Sequence, residues 1–292
     1  MIERALRYET APARRERILD LVRESGYCAL AALSRDLGVS DMTVRRDVRK
    51  LSEQGLVNVV HGGVSAVTDL LAPVDFRFRA DQHLNAKRAI ALRALRLISP
   101  GSVVGLDAGT TIVEVARRLP VDQRLTVVTH SLPAMAAIAR RSGVELLGLG
   151  GTFFHEGQEF AGPQAHTLVS QLRMQILLLG AAAVRDGRMW STNGADVEMK
   201  QALMRSADKV VLLLDSSKFD YSALMMVADL SAVTAVVTDE LIGVDARRDV
   251  VEAGVELIVV SLDGKDSELD LRGNPITSPL GTTPSRIQEA MR

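Results

Sequence analysis

The segment SDMTVRRDVRK at residues 40–50 holds the first group of side chains that could do chemistry. Val44, Val48 and Leu51 recur at intervals of four and three residues, which predicts one buried face of a helix. Arginine suits guanine edges and phosphates, and lysine suits phosphates, so a basic opposite face could bind in the major groove of DNA. The residues on that face are Thr43, Arg45, Arg46, Arg49 and Lys50.

The same charges also fit an ordinary solvated helix. Asp41, Asp47 and Glu53 could pair with the basic side chains, and residues 35–63 hold five basic and four acidic residues, a net charge of only +1. Charge alone therefore leaves both interpretations open. After the helix comes a turn that could approach a DNA backbone closely, because glycine has no side chain to intervene. This turn consists of His61, Gly62 and Gly63.

Small and polar residues that follow short apolar runs form the second group. They occur as LDAGTT at 106–111, THS at 129–131, GLGGT at 148–152 and LDSSKF at 214–219. In an open parallel sheet, ligands bind beyond the carboxyl ends of the strands, where backbone N–H groups and helix N-termini attract anions. Each loop alone also fits a purely structural turn. Four at equivalent strand ends favour one ligand that carries a phosphate or carboxylate, with Lys218 supplying a positive charge.

Two sets of elements must position these groups. Helical patterns over residues 14–25, 30–37 and 41–54, followed by a hairpin within 56–64, are the parts of a winged helix-turn-helix. Beyond a helix at 83–98, apolar runs alternate with helical segments, which indicates a largely parallel sheet buried on both faces. The runs lie at 103–106, 125–129, 144–149, 176–179, 210–214, 235–238 and 257–261.

The predicted fold class is therefore α/β, with an N-terminal winged helix-turn-helix domain and a C-terminal domain built on a largely parallel α/β sheet. The predicted divisions are a flexible arm at 1–11, the winged domain at 12–67 with its helix-turn-helix near 28–47, a linker at 68–82, the second domain at 83–262 and a mobile tail at 263–292.

Composition excludes several classes of protein. The 292 residues are 47 % hydrophobic and 24 % charged, which is globular rather than disordered usage. No apolar run approaches the roughly 18 residues of a membrane span, and the polar start MIERALRYET lacks the apolar region of a signal peptide. Cys28 is the single cysteine, so no disulfide can form within the chain. We expect a soluble, cytoplasmic protein without cofactor or metal, since its histidines lack metal-ligand spacing.

The segment LSRDLGVSDMTVRRDVRKLSEQGLVNVVHGGV resembles the winged-helix head of the DeoR family of bacterial transcriptional regulators. The family core VS-x-x-T-[IV]-R-R-D-[LV] is matched at 39–48, and the closing HGG at 61–63. The resemblance implies that Ser40, Thr43, Arg45 and Arg46 contact DNA and that Asp47 orients the arginines. Together with the face and turn described above, the candidate DNA-binding residues are Ser40, Thr43, Arg45, Arg46, Arg49, Lys50, His61, Gly62 and Gly63.

The second domain resembles the effector domain of the same family, which is similar to sugar-phosphate isomerases such as ribose-5-phosphate isomerase. The motifs LDAGTT, VVTHSLP, LLGLGGT, AGP, LLLG, MK and LLDSSKF occur in the family order. The resemblance implies that a phosphorylated sugar or related metabolite binds at these loops and changes the affinity for DNA. The candidate effector contacts are Asp107, Gly109, Thr110, Thr111, His130, Ser131, Gly150, Gly151, Lys200 and Lys218.

Four features depart from the family pattern. His130 stands where the family usually has asparagine, FFH at 153–155 replaces an expected basic residue, GAAA at 180–183 replaces GADG, and the segment before Lys200 has fewer acidic residues. The missing aspartate removes a hydroxyl acceptor and a candidate acid or base, so we expect no catalytic residue. His130 could donate to an anion or cap its helix, and both interpretations stay open.

The sequence thus predicts a sequence-specific DNA-binding regulator, a repressor of carbohydrate or related metabolism genes, whose operator affinity depends on a phosphorylated sugar-like effector. A winged helix makes few base contacts, so we expect a homodimer or homotetramer on paired half-sites, assembled through residues 83–262. Two alternatives remain: an isomerase-like enzyme with an accessory DNA-binding head, and a constitutive DNA-binding regulator whose effector site has decayed.

Overall fold

A computed structural model of the protein describes residues 10–53, 56–60, 62–66, 76–221, 223–262, 268–269 and 275–276. Most of the predicted arm at 1–11 and of the predicted tail at 263–292 therefore lies outside the described residues. Within the described parts, a helix already begins at Ala11, and two short strands fall in the segment predicted as a tail.

The described part of the N-terminal domain combines three helices with a three-stranded antiparallel sheet. Its elements are α1 (Ala11–Ser25), β1 (Tyr27–Ala29), α2 (Leu30–Leu37), α3 (Asp41–Glu53), β2 (Val57–Val60) and β3 (Gly63–Ala66). The strand order β1-β3-β2 adds β1 to the hairpin of β2 and β3. The predicted winged helix-turn-helix is confirmed.

Spaced apolar residues hold the three helices together. Ile18, Leu33 and Val44 contribute one fully buried side chain from each helix. Burial of such a side chain stabilises the fold by roughly 1.5–3 kcal/mol. The turn between α2 and α3 needs a left-handed residue, and Gly38 supplies it with φ 63°. These contacts fix α2 and α3 as one unit.

The second domain alternates strands and helices along most of its length. Its elements are α4 (Phe76–Asp81), α5 (Leu84–Leu95), β4 (Val103–Leu106), α6 (Thr110–Ala116), β5 (Leu125–Thr129), α7 (Leu132–Ile138), β6 (Val144–Gly148), β7 (Thr152–Phe154), β8 (Glu159–Ala161), α8 (Pro163–Val169), β9 (Ile176–Leu179), β10 (Ala183–Arg185), β11 (Arg188–Ser191), α9 (Gly194–Arg205), β12 (Val210–Leu213), β13 (Met225–Asp229), β14 (Ala235–Asp239), α10 (Val244–Glu252), β15 (Glu256–Val260), β16 (Glu268–Leu269) and β17 (Pro275–Ile276).

The main sheet has the order β17-β16-β15-β14-β12-β9-β4-β5-β6. The strands from β15 to β6 in that order are parallel, whereas β16 and β17 pair antiparallel at one edge. In the central strand β9, Ile176 and Leu178 pack in one hydrophobic cluster, and Leu177 and Leu179 pack in another. The sheet is thus buried on both faces, as the continuous apolar runs predict.

The start of the second domain differs from the sequence prediction. Residues 76–81 were expected in the linker, but they form α4, and the buried Phe76 packs into the cluster that contains Ile90. The next helix begins at Leu84 because His83 has a left-handed backbone, with φ 50°. Helical structure therefore begins before the predicted boundary at residue 83. Among the described residues, we find no helix that is both long and apolar enough to cross a membrane.

Candidate DNA-binding and effector sites

Helix α3 presents a basic face to solvent. Arg45, Arg46, Arg49 and Lys50 are exposed, whereas the opposite face is buried in the domain core. Arg49 Nε lies 3.2 Å from Glu53 Oε1, an exposed pair that contributes little stability and leaves the guanidinium accessible. The predicted basic face is therefore present on the surface of α3, although its contact with DNA stays a prediction.

Two hydroxyl residues begin the same helix. The Thr43 backbone N–H donates to Ser40 Oγ at 3.3 Å, and the two hydroxyl oxygens lie 2.9 Å apart. Ser40 therefore caps α3 and fixes the position of its first turn. A contact of either hydroxyl with DNA would come in addition to this structural role.

Asp47 has a different role from the one the resemblance implies. It is buried, and its carboxylate lies 2.5 Å from Arg14 Nε and 3.9 Å from Arg15 Nε, both on α1. The described ion-pair partners of Asp47 are thus not Arg45 or Arg46, and the prediction that it orients them is wrong. The pair instead attaches α3 to α1.

The tip of the wing has a structural reason for its glycines. Gly62 has φ 76°, and its carbonyl accepts a hydrogen bond from Leu30 N–H at 3.0 Å. A Cβ on Gly63 would lie 2.3 Å from the Tyr27 ring. Packing against Tyr27 therefore requires glycine whether or not DNA approaches. His61 lies outside the described residues.

At the carboxyl edge of the main sheet, two separately predicted residues meet in a buried ion pair. Asp107 follows β4, and its Oδ2 accepts hydrogen bonds from Lys200 Nζ on α9 and from the Gly180 N–H at 2.9 Å. Lys200 Nζ also lies 3.2 Å from Asp196 Oδ1. Burial opposes the charge on Lys200, but the carboxylates of Asp107 and Asp196 outweigh it and raise the pKa of Lys200 above its usual value.

The His130 ring lies beside this pair, and neither of its nitrogens makes a hydrogen bond among the described residues. The ring is fully buried after β5, and Nε2 lies 3.7 Å from both Asp107 Oδ1 and Glu159 Oε2. These distances are too long for hydrogen bonds. Both ring nitrogens and Asp107 Oδ1 are without partners in the described structure, at a cost of roughly 1–3 kcal/mol for each buried group. Buried polar groups in native proteins normally have a partner, which is a protein group, an ordered water, an ion or a bound ligand.

The N-cap of α7 is a residue other than His130. Ser131 Oγ accepts a hydrogen bond from the Ala134 N–H at 3.4 Å, so Ser131 is the N-cap. The interpretation of His130 as the helix cap is therefore wrong. Glu159, on the hairpin strand β8, is a neighbour of His130 that the sequence did not single out, because β8 has only three residues and no helical or alternating pattern.

A cluster of positive charge lies near the carboxyl end of β12. Lys87 is only 2 % exposed, and its Nζ donates to the Arg79 carbonyl. Burial lowers the pKa of Lys87 to about 8, while the charge of Asp215 opposes the shift and those of Lys218 and Arg79 reinforce it. Burial also lowers the pKa of Lys218, again opposed by Asp215. The carboxylate of Glu114 also opposes the shift at Lys87, but Glu114 is itself paired with Arg117 and Arg118. The three cations of the cluster therefore outnumber its carboxylates.

Lys87 was missed although the sequence carries a signal for it. It lies on the apolar stripe of α5 with Ile90, Ala91 and Ala94, all of which are buried. A lysine on an apolar stripe is unusual unless its charge has a partner. An open cavity of about 240 Å³ lies at the start of α5, and its lining includes His83, Asn85, Ser216 and the buried Asp239.

The remaining candidates lie on neighbouring turns. Thr110 and Thr111 begin α6 after β4, and Gly109 and Gly151 both have φ 136°, a conformation that favours glycine. Gly150 and Gly151 follow β6, one strand beyond β5, and no described hydrogen bond joins them to the Asp107 pair. In the described part of the chain, no group of three or more His, Cys, Asp or Glu side chains could hold a metal ion.

Comparison with known families covers both domains. A model of the DeoR-like helix-turn-helix domain matches residues 14–69, and one of the DeoR C-terminal sensor domain matches residues 82–240. The chain belongs to the DeoR family of transcriptional regulators. As a DeoR-family member with both domains, it is a DNA-binding transcriptional regulator, and the alternative of an isomerase-like enzyme is not supported.

Individual relatives agree with this assignment. The chain is 34 % identical over 246 residues to the HTH-type transcriptional regulator GlpR of Haloferax volcanii, covering 84 % of this chain and 96 % of the relative. It is 32 % identical to the L-fucose operon activator of Haemophilus influenzae, covering 77 % and 91 %. The ribose 5-phosphate isomerase of Methanocaldococcus jannaschii matches with 19 % identity and a TM-score of 0.33, covering 46 % of this chain and 53 % of that chain, and this similarity is too low to support an argument.

Proposed function

We propose that this DeoR-family regulator binds paired operator half-sites through the exposed face of α3 and changes its affinity for them when a phosphorylated sugar-like metabolite binds in the second domain. The observation that supports the proposal is that two different groups of polar side chains lie along the carboxyl edge of the sheet. A net positive cluster lies near the end of β12, and the buried polar atoms of Asp107 and His130 that lack a partner among the described residues lie near the ends of β4 and β5.

The positive end suits the phosphate. Lys87, Lys218 and Arg79 outnumber the carboxylates of Asp215 and Glu114, so a bound anion would improve the charge balance there. An anion beside Lys87 would also favour its protonated form, which burial disfavours.

The other end suits the hydroxyl groups of a sugar. Asp107 Oδ1 is a hydrogen-bond acceptor, and the two ring nitrogens of His130 provide one donor and one acceptor when the ring is neutral. A ligand hydroxyl can donate to one and accept from another. In the strand order β12-β9-β4-β5, one strand separates β12 from β4, which Asp107 follows, and two strands separate it from β5, which precedes His130. These separations are about 10 Å and about 14 Å, and a short phosphorylated sugar can span the nearer one.

On the DNA side, we propose that Arg45 and Arg46 contact bases or phosphates and that two copies of the chain bind one operator. A single winged helix reads few base pairs, so paired heads are needed for useful specificity. We propose repression of carbohydrate genes in the cytoplasm as the biological role, and curated relatives include named repressors as well as an activator.

Two measurements test the proposal: DNA binding and thermal stability, each with and without a panel of sugar phosphates. Fluorescence anisotropy measures binding to duplexes from upstream of the chain's own gene and neighbouring operons, at two salt concentrations. We expect tight, salt-dependent binding that one compound changes by roughly 5- to 150-fold, the usual range of allosteric coupling. Specific binding that no compound changes, together with no thermal stabilisation by any compound, would instead identify a constitutive regulator with a decayed effector site.

A further inference from the structure

Met42 occupies an unusual place for a large apolar side chain. It lies in the first turn of α3 and is 76 % exposed, whereas the apolar core of the domain contains Val44, Val48 and Leu51 from the same helix. Ser40, two residues earlier, caps α3 and so holds the turn that carries Met42. The side chain therefore contributes little to the stability of the fold.

The neighbours of Met42 define a mixed polar and apolar surface. Arg45 and Arg46 follow three and four residues later and are also exposed, so all three side chains lie on one side of the helix. A single exposed apolar residue is common on protein surfaces. This one, however, lies near the N-terminus of the helix that we propose to bind in the major groove, where helix-turn-helix proteins contact base edges.

The chemistry of the groove indicates what Met42 could recognise. Arginine recognises hydrogen-bond acceptors such as those of guanine, but a thioether carries no N–H or O–H to donate. The apolar group that a base presents in the major groove is the 5-methyl of thymine. Methionine is flexible and polarizable, so it can pack against such a group.

We propose that Met42 packs against a thymine 5-methyl in each half-site and is a specificity-determining residue of the DNA-binding surface. This inference rests on the proposed binding of α3 in the major groove. Arg45 and Arg46 recognise the hydrogen-bonding edges of bases. Met42 recognises a base by apolar contact alone.

The experiment removes the methyl group and the methionine separately. A duplex is first selected by the wild-type protein from a randomised library, and each of its thymines is then replaced by uracil, one at a time. At one thymine in each half-site, we expect uracil to weaken wild-type binding about fourfold, which corresponds to one buried methyl-sized group. Met42→Ala should weaken binding to the thymine duplex by a similar factor and should not respond to uracil at that position.

Two further variants serve as a control and as a test of base preference. Leu92→Ala removes an apolar side chain that is 55 % exposed on α5 in the other domain, and it should keep the complete wild-type uracil profile. Met42→Gln should shift the preferred base at that position from thymine towards adenine, because glutamine pairs with the adenine edge. Alanine and glutamine both favour helix, so neither substitution should unfold α3.

The inference is overturned if Met42→Ala keeps the wild-type response to uracil at every thymine, or if the wild type responds to none. Arg45→Ala and Arg46→Ala separate this failure from that of the proposed function. If these variants lose affinity while Met42→Ala does not, only the inference about Met42 fails. If the arginine variants bind the selected duplex like the wild type, the assignment of α3 to the groove fails as well.

Discussion

Replacing Lys87 by methionine should stabilise the protein while removing its response to the effector. Lys87 is buried, and its pKa is lowered from 10.5 to about 8. The protonated lysine is therefore less favourable in the folded than in the unfolded protein, by about 1.36 kcal/mol for each tenfold change in the protonation equilibrium. At pH 7 the resulting cost is about 3 kcal/mol, and at pH 9.5 it falls to about 1 kcal/mol.

The direction of the change in stability with pH follows from the number of protons that the folded and unfolded chains bind. Between pH 8 and 10.5 the unfolded chain binds more protons at this residue than the folded chain, so the contribution of Lys87 becomes less unfavourable as pH rises. Below pH 8 the cost is fully present. Methionine has similar length and no charge. It removes the cost but leaves the Arg79 carbonyl without its donor, which offsets about 1 kcal/mol of the gain.

The net expectation at pH 7 is a stabilisation of about 2 kcal/mol, or a rise in Tm of about 4–8 °C for a domain of this size. Thermal unfolding by calorimetry at pH 7 and pH 9.5 measures both the gain and its decrease with pH. Lys209→Met is the matched control, because Lys209 is exposed, and it should change Tm little at either pH. A Lys87→Met protein that is less stable than the wild type at pH 7, or a gain that does not decrease at pH 9.5, would refute the reasoning.

Five other substitutions test the DNA-binding face, the ion pair between α1 and α3, and the effector site. Arg45→Ala and Arg46→Ala should each weaken operator binding by roughly 1–3 kcal/mol in an anisotropy titration if the residue contacts a base, and wild-type affinity in both would remove α3 from the groove. Asp47→Ala should destabilise the winged domain by roughly 3–5 kcal/mol in urea unfolding, because it removes the carboxylate from a buried ion pair with Arg14, whereas breaking the exposed Arg49–Glu53 pair with Glu53→Ala should cost less than about 1 kcal/mol. His130→Asn should change which sugar phosphate binds, as measured by calorimetry, while operator affinity without ligand stays at the wild-type value; an unchanged ligand preference would show that the unpartnered ring nitrogens do not face the effector.

Local patterns in the sequence predict the elements well. The helix predicted at 30–37 has the observed bounds of α2, and each of the seven predicted apolar runs matches a parallel strand of the main sheet to within one residue at either end. Apolar spacing and continuous apolar runs report burial directly, so these elements can be read from neighbouring residues. Short strands such as β1 and β8 were missed because three residues hold too little pattern.

The candidate sites could be predicted only in part, because contacts between residues far apart in the sequence build them. Nothing in the sequence joins Asp47 to Arg14, which is 33 positions away, so the family pattern suggested the nearer arginines instead. Asp107 and Lys200 were both candidates, but their pairing depends on the sheet order that brings α9 to the end of β4. Glu159 reaches His130 only because the hairpin of β7 and β8 folds back over the end of β5.

The central claim is that a phosphorylated ligand at the carboxyl edge of the sheet changes the affinity for DNA. The most direct measurement is the Kd for the selected operator duplex, with and without each sugar phosphate, for the wild type and for a Lys87→Met, Lys218→Met double variant. The account predicts that one compound changes the wild-type Kd at least about fivefold and leaves the double variant unchanged, while both proteins bind DNA equally without ligand. A double variant that still responds like the wild type, or a wild type that responds to no compound, would contradict it.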